Sequence, residues 1–354
     1  MRGKTGIGDS GAHTIIFDTV FQSFLFASSR FAYEVHRYAC GQCLLLTGGG
    51  IWRTYIGAMT VWESIILGLV EGVTEFLPVS STGHLIITQY LLGLPSTDAV
   101  KAFEICIQGG AILAVLSIYF QRVVSVVQGL FGRNPAGRRL LLNLIAGFVP
   151  AAAIGLIASD WIKGYLFNAT TVAITWALGG LVILLYVRRR QKEHVGNSGK
   201  PLEEMTLRDA LIVGFLQCIA MCPGTSRSLM TMLGGMFVGL SVPAAVEFSF
   251  LLGLVTLGAA TVYDGYKFGG DMVAELGYAP LIVGTAVAWL SAWVAVKWMV
   301  GYLEKHSLSL FGWYRLGAAV VLALLIAHGL KVEEEPAVPN SHSTPVALAD
   351  IQPE

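Results

Sequence analysis

The chain has 354 residues, and its 23 lysines and arginines balance its 23 aspartates and glutamates, so its formal net charge is zero. Hydrophobic residues make up 55% of it and charged residues 13%, whereas a soluble domain carries about 25% charged residues. This composition excludes an ordinary soluble domain and predicts that most of the surface faces lipid. The zero net charge gives no general attraction for nucleic acid, so no nucleic-acid partner is expected.

Residues 1–58 differ from the rest because they contain no clean apolar run of about 20 residues. They also lack the pattern of a secretory signal peptide. We interpret them as an N-terminal extension that is either disordered or not native, with Met59 as the natural start. Cys40 and Cys43 form a C-x-x-C pair here, but no second pair stands at zinc-ligand spacing, so neither a metal site nor a redox site is expected.

From Val61 onward, apolar segments recur along the chain. They lie near 61–77, 84–94, 102–120, 140–158, 171–187, 209–222, 229–240, 245–263, 280–300 and 312–329. Four of them are too short to cross a bilayer and form two pairs, each pair flanking a polar turn at 78–84 or 223–228. Irregular backbone at that depth must be buried in protein or line a wet cavity. We therefore predict two re-entrant helical hairpins and six transmembrane helices, followed by a disordered tail at 331–354.

The two halves of the chain, 60–187 and 208–330, resemble each other. Glu63–Val70 aligns with Asp209–Leu216, and Pro78 and Ser81 align with Pro223 and Ser226. Each half has one hairpin and three spans, and an odd number of spans inverts the second half. The prediction is an all-α polytopic membrane protein, with an inverted repeat in a membrane domain at 59–330.

The charges between the spans predict the orientation. Arginine and lysine are concentrated in 121–139 and 188–208, which we interpret as loops, whereas 159–170 and 264–279 contain few basic residues. Basic loops remain in the cytoplasm. The first hairpin is then expected to open to the outer side, the second to the inner side, and the C-terminal tail to lie outside.

Two carboxylates, Glu71 and Glu75, lie one helical turn apart in the first short helix. Like charges at this spacing repel, and a charge at mid-bilayer costs about 2.5–3.5 kcal/mol on insertion scales. A divalent cation or a shared proton would explain the pair. An ion pair with Arg227 is the structural alternative.

Both polar turns carry hydroxyls and glycine next to a helix start, where free N–H groups attract anions. In the second turn Arg227 adds a guanidinium fork suited to phosphate. If the turns meet, they would surround a diphosphate held by a metal ion. The hydroxyls could also be simple helix caps, and His84 an ordinary core histidine. The candidate substrate-binding residues are Ser80, Thr82, Gly83, Gly224, Thr225, Ser226 and Ser228.

Two motifs carry a family resemblance. Glu-Gly-Val-Thr-Glu-Phe-Leu-Pro-Val-Ser-Ser-Thr-Gly-His at 71–84 and Pro-Gly-Thr-Ser-Arg-Ser at 223–228 resemble the signatures of the bacterial undecaprenyl-diphosphate phosphatases, or bacitracin-resistance proteins. The resemblance covers about residues 60–330. One departure is Leu229, where the family usually has glycine; it could narrow the second turn or simply pack inside the helix bundle.

The resemblance implies hydrolysis of undecaprenyl diphosphate in the bacterial plasma (inner) membrane, which recycles the lipid carrier for cell-wall synthesis. It implies a divalent cation, Mg²⁺ or Ca²⁺, at Glu71 and Glu75, and an indirect action of bacitracin through the substrate. Whether the protein forms a homodimer is left undecided by the sequence. The catalytic residues that carry over are Glu71, Glu75, Ser81, His84 and Arg227.

For the reaction we expect Ser81 as nucleophile and His84 as base or leaving-group acid, with direct attack by water as the alternative. The rival function is a transporter or flippase for the lipid phosphate or another anion, because an inverted repeat suits a carrier equally well.

Overall fold

The computed structural model describes residues 59–94, 97–192 and 199–330. Regular structure in this part of the chain is entirely helical, apart from one isolated bridge between Lys200 and Leu240, which confirms the predicted all-α class. The interpretations of residues 1–58, including Cys40 and Cys43, and of residues 331–354 lie outside the described residues.

The helices follow one another with short connections. They are α1 (Val61–Thr74), α2 (Ser81–Leu92), α3 (Asp98–Ile118), α4 (Phe120–Leu130), α5 (Pro135–Leu166), α6 (Ala169–Lys192), α7 (Leu207–Cys218), α8 (Arg227–Phe237), α9 (Val242–Leu276), α10 (Tyr278–Lys305) and α11 (Ser309–Ala327). Single 3₁₀ turns at Leu202–Glu204 and Ile219–Met221 precede and follow α7.

Six of the described helices are long and apolar enough to cross a membrane: α3, α5, α6, α9, α10 and α11. They coincide with the six segments expected to span, so a multi-pass membrane protein is confirmed. The four apolar segments that we expected to be too short to cross form short helices. Helices α1 and α7 have 14 and 12 residues, and α2 and α8 have 12 and 11.

The stretch 121–139 is not the loop that we expected. It contains most of α4 and the start of α5. Val123 and Val126 of α4 pack against the protein core, whereas Val127 and Leu130 are exposed. An amphipathic helix of this kind has no continuous apolar run, so a search for spans overlooks it. Similarly, α5 and α9 continue through most of the expected outer loops at 159–170 and 264–279.

The short helices α1 and α7 begin in the same way and pack in the same way. Each starts with a capping box, Thr60 with Glu63 and Thr206 with Asp209. Helix α1 packs against α10, and α7 packs against α5. At each contact a glycine allows the backbones to touch, because a Cβ on Gly68 or Gly214 would collide with a main-chain carbonyl of the facing helix.

The remaining spans pair across the bundle. Helix α3 packs against α9 and α10, and α11 packs against α6. The largest apolar cluster includes Phe76 beside the first turn and Leu229 beside the second, together with Phe250 of α9. This packing brings the ends of α1 and α7, and therefore both polar turns, into the protein interior.

Candidate active site

Two serines in the polar turns have an unusual backbone. Ser80 has φ 74° and Ser226 has φ 76°, and no other non-glycine residue in the described ranges has a positive φ. This conformation costs an L-residue about 1–3 kcal/mol, so it persists only where the surrounding structure imposes it. Each serine directly precedes a helix start, so the strained turns determine where Ser81 and Arg227, the first residues of α2 and α8, are placed.

The matching turns correct the alignment of the two halves by one residue. Thr206 precedes Ser226 by the same number of residues as Thr60 precedes Ser80, with equivalent caps and equivalent positive φ angles. Ser80 therefore corresponds to Ser226, and Ser81 corresponds to Arg227. The one-residue shift arose because we aligned the prolines, Pro78 and Pro223, which do not occupy equivalent positions in the two turns.

Glu75 connects the two turns. Its Oε2 accepts a hydrogen bond of 2.5 Å from the Ser81 hydroxyl, and its Oε1 forms an ion pair of 2.8 Å with Nη2 of Arg227. All three side chains are largely buried. The structure thus brings together a carboxylate, a hydroxyl and a guanidinium, and it contains the ion pair that we considered as the structural alternative.

Several buried polar atoms near these residues make no hydrogen bond within the described part of the chain. They include Oε1 of Glu71, Nε of Arg227 and Nε1 of Trp176. Buried polar groups are nearly always paired, so each exception needs an explanation. One acceptor and two donors are available here for an additional polar group.

Nothing in the described ranges forms a cluster of three or more histidine, cysteine, aspartate or glutamate side chains that could hold a metal ion. Glu71 and Glu75 are both buried, at 1% and 8% exposure. Mg²⁺ is commonly held by one or two carboxylates together with substrate phosphates, so this pair still fits a divalent cation. The free Oε1 of Glu71 supports that fit.

His84 is held by groups other than Ser81. Its Nδ1 lies 2.7 Å from the Ser80 carbonyl oxygen and its Nε2 lies 2.6 Å from the Tyr314 hydroxyl. A carbonyl can only accept, so Nδ1 carries a hydrogen, and in a neutral ring Nε2 accepts from Tyr314. The Ser81 hydroxyl bonds to Glu75, not to His84, so the expected pairing of Ser81 with a histidine base is replaced by pairing with a carboxylate.

The serines of the second turn mainly stabilise it. The Ser226 Oγ accepts from the backbone N–H of Leu229 at 3.2 Å, and the Ser228 Oγ donates to the Leu77 carbonyl of the first turn at 2.9 Å. Leu229 is fully buried in the core, which matches the second of the two interpretations of that residue.

The other candidate substrate-binding residues also lie at the turns. Thr225 is buried and its N–H donates to the Cys222 carbonyl, while Thr82 is half-buried in the first turn of α2. A Cβ on Gly83 would collide with the Trp176 ring, and one on Gly224 with the Thr175 hydroxyl. Both glycines are therefore needed for close packing at the site.

Sequence reasoning missed two residues of α11. Tyr314 holds His84, and Arg315 is fully buried among main-chain carbonyls. A signal for Arg315 was present, because an ionisable residue inside an apolar segment indicates function by default. Arg315 lies near the start of its apolar segment, a position from which arginine side chains often reach the membrane surface, so the signal is weak there.

Six spans among the described residues and a buried polar centre made from two turns define a polytopic membrane protein with a polar site inside its helix bundle. Residues 64–321 match the family described as Bacitracin resistance protein BacA. The chain therefore belongs to this family.

Relatives with established names cover the same region. The chain is 46% identical over 268 residues to "Undecaprenyl-diphosphatase" of Methylococcus capsulatus, covering 76% of this chain and 96% of the relative. It is 45% identical over 272 residues to "Undecaprenyl-diphosphatase 2" of Rhodospirillum rubrum, with 76% and 96% covered. For "Undecaprenyl-diphosphatase" of Aquifex aeolicus the identity is 41% over 267 residues, with 75% and 98% covered.

Proposed function

We propose that this chain hydrolyses undecaprenyl diphosphate to undecaprenyl phosphate and inorganic phosphate, and so recycles the lipid carrier for cell-wall synthesis. The observation that carries this function is Glu75, bonded both to the Ser81 hydroxyl and to Arg227 in the protein interior. Membership of the BacA family and the names of the relatives agree with it. Bacitracin resistance follows, because hydrolysis removes the lipid diphosphate that bacitracin binds.

The finer fold that we propose is an inverted repeat with two re-entrant hairpins, α1–α2 and α7–α8. Helix α1 packs against α10 of the second half, and α7 packs against α5 of the first half. Glycines at corresponding positions, Gly68 and Gly214, mediate these two contacts. Such reciprocal packing is the pattern that a pseudo-two-fold axis would generate. Hairpins buried in this way can satisfy the hydrogen bonds of their irregular backbone with protein groups inside the bilayer.

We place the protein in the bacterial plasma membrane, with the site open to the outer face. Arginines at 122, 133, 138 and 139 and at 188–190 lie on one side of the predicted arrangement. The positive-inside rule assigns that side to the cytoplasm. The lipid diphosphate would then enter from the outer leaflet with its prenyl chain still in lipid.

The chemistry begins at Ser81 in our proposal. As its proton passes to Glu75, the Ser81 oxygen attacks the terminal phosphorus. The bond from that phosphorus to the bridging oxygen breaks, and undecaprenyl phosphate leaves. Water then hydrolyses the phosphoserine and releases inorganic phosphate. The ion-paired Arg227, whose Nε is free, binds the phosphate oxygens and stabilises their charge.

Glu71 and Glu75 would hold a divalent cation, Mg²⁺ or Ca²⁺, which when bound neutralises phosphate charge. For His84 we retain a role as acid for the leaving group, which requires its protonated form. Nδ1 would still donate to the Ser80 carbonyl, and Nε2 would carry the transferable proton on the side of Tyr314. Direct attack by water, with Ser81 only orienting the phosphate, is the alternative reaction. Trapping phosphoserine at position 81 after rapid quenching would distinguish the two.

The test is phosphate release from undecaprenyl diphosphate by purified protein, with and without EDTA. We expect release by the native chain, loss with EDTA, and recovery when Mg²⁺ or Ca²⁺ is added in excess. Arg227→Ala should lower turnover by at least about 100-fold, the cost of losing one donor to the transition state. Near-normal release by Arg227→Ala would contradict the site.

A transbilayer assay in the same vesicles addresses the rival function. Movement of the lipid phosphate without phosphate release would identify a carrier instead of an enzyme. The names of the relatives do not favour that outcome.

A further inference from the structure

Arg315 of α11 is fully buried, at 0% exposure. Every hydrogen bond that the structure gives it within the described residues ends on a main-chain carbonyl. Nη2 donates to Gly224 at 2.8 Å and to Thr175 at 2.9 Å, Nη1 donates to Pro78 at 3.3 Å, and Nε donates to Trp176 at 3.4 Å.

Two of these carbonyls belong to the two strained turns. Pro78 lies two residues before Ser80, and Gly224 lies two residues before Ser226, the serines with positive φ. One guanidinium therefore bonds both turns at corresponding positions. Its donors are fixed in a rigid plane, so the positions of the two carbonyls are fixed relative to each other.

Packing does not explain a charge at this place. A buried cation loses its hydration, and an apolar side chain of similar volume usually fills such a space at lower cost. Methionine would fill much of this space but donate nothing to the four carbonyls.

The space for the guanidinium of Arg315 exists because α6 has a glycine, Gly179, where it faces this group. Gly179 of α6 faces it so closely that a Cβ at this position would overlap Nη2 and approach the central carbon of the guanidinium. A methyl group added to Gly179 therefore moves Arg315 without removing it.

We infer that Arg315 is a positioning residue: by bonding Pro78 and Gly224 it fixes the two turns so that Ser81 and Arg227 face the same phosphate. This inference rests on the proposed function for its effect on turnover. The effect of Arg315 on the two turns is independent of the proposed function, because its hydrogen bonds are present whatever the chain hydrolyses.

The first test measures turnover. We compare the native chain with Arg315→Met, Arg315→Lys and Gly179→Ala, at a temperature where each remains folded by thermal unfolding. A displacement of about 1 Å can cost about 100-fold in rate, so we expect a fall in kcat of that order for Arg315→Met with a smaller change in KM. Arg315→Lys should recover part of the loss, since an ammonium group donates but cannot span both carbonyls. Gly179→Ala should lower kcat although the arginine is retained.

The matched control is Lys200→Met. Lys200 pairs with Asp209 at the opposite end of α7 from the second turn. This variant loses a partly buried ion pair but none of the contacts of the two turns. We therefore expect its kcat per folded molecule to match that of the native chain.

The second test does not depend on activity. Hydrogen exchange measured on peptides covering 75–84 and 222–228 should become faster in both turns in Arg315→Met, and not in Lys200→Met. Unchanged exchange in both turns, or a kcat for Arg315→Met within about threefold of the native value, would overturn the inference. Absence of phosphate release from the native chain would instead refute the proposed function and leave the exchange result to decide on Arg315.

Discussion

Glu75 contributes two interactions through the two oxygens of one carboxylate. Oε2 accepts from Ser81 and Oε1 pairs with Arg227. A neutral amide could retain part of the geometry, but it could neither take the serine proton nor neutralise the guanidinium. Chemistry and stability therefore depend on the same side chain.

The variant Glu75→Gln tests this dependence. We expect kcat to fall by at least about 100-fold, because positioned proton transfer contributes 10²–10⁴-fold. We also expect a loss of stability of about 3–5 kcal/mol, because Arg227 is left buried and unpaired. Phosphate release and denaturant unfolding would measure the two effects. Glu247→Gln is the control, since Glu247 pairs with Arg122 instead and should affect stability only.

Gly253 of α9 provides a second test at the scale of single residues. A Cβ there would overlap Nη1 of Arg227, so Gly253→Ala should displace the guanidinium while improving helix propensity. We expect a fall in kcat of at least about tenfold with the protein still folded. Gly258→Ala on the same helix is the control, because its Cβ would meet nothing within 4 Å. Equal kcat values for the two variants would exclude this constraint on Arg227.

The sequence predicted most of the residues that meet at the turns, because motifs record which residue types the chemistry needs. It did not predict that Ser81 bonds to Glu75 instead of His84, since spacing along a helix does not fix a side-chain direction. The sequence marked Arg315 only as an ionisable residue inside an apolar segment, and it did not show that this side chain reaches the turns from a helix remote in sequence.

At the scale of elements, helix α1 depends on glycines that let its backbone approach the backbone of α10 closely. A Cβ on Gly68 of α1 would collide with the Gly284 carbonyl of α10, and one on Gly72 with the Ala288 carbonyl. These contacts fix the depth of α1, and with it the position of the first turn.

Gly68→Ala should therefore destabilise the fold by about 1–3 kcal/mol, the usual cost of overpacking. The measurement is denaturant unfolding in a mild detergent. Gly301→Ala of α10 is the control, because its Cβ would meet nothing within 4 Å and alanine is the better helix former. A stability of Gly68→Ala equal to or above that of Gly301→Ala would contradict the close packing.

The elements themselves were predictable where the sequence signal is continuous. The six spans and the four short helices among the described residues are predominantly apolar, and their approximate positions follow from that composition. Helix α4 was not predictable in this way because Gln121, Arg122, Ser125 and Gln128 interrupt its apolar residues. The length of α5 and α9 was not predictable because their ends carry polar residues that resemble loops.

At the scale of the whole molecule, the proposed topology makes opposite ends of the bundle accessible from opposite sides. Arg133 follows α4, and Phe167 follows α5; both are exposed. The span α5 separates them, so they should face different compartments.

Cysteine labelling in intact cells tests the orientation. In a background where all five native cysteines are replaced, Phe167→Cys should react with a membrane-impermeant maleimide from outside. Arg133→Cys should react only after the cells are permeabilised, because the basic side remains in the cytoplasm. The reverse pattern would invert the topology and place the site opening on the inner face.

The long-range contacts of Arg315 also have a consequence for biosynthesis. The ribosome completes α1 and the first turn before their supporting groups, Gly284 and Arg315, which belong to the last two of the described helices. A nascent chain therefore carries Ser81, the nucleophile of our proposal, for most of its synthesis without the surroundings that orient it. The site can form only after α11 has entered the membrane, so the protein gains its activity at the end of insertion.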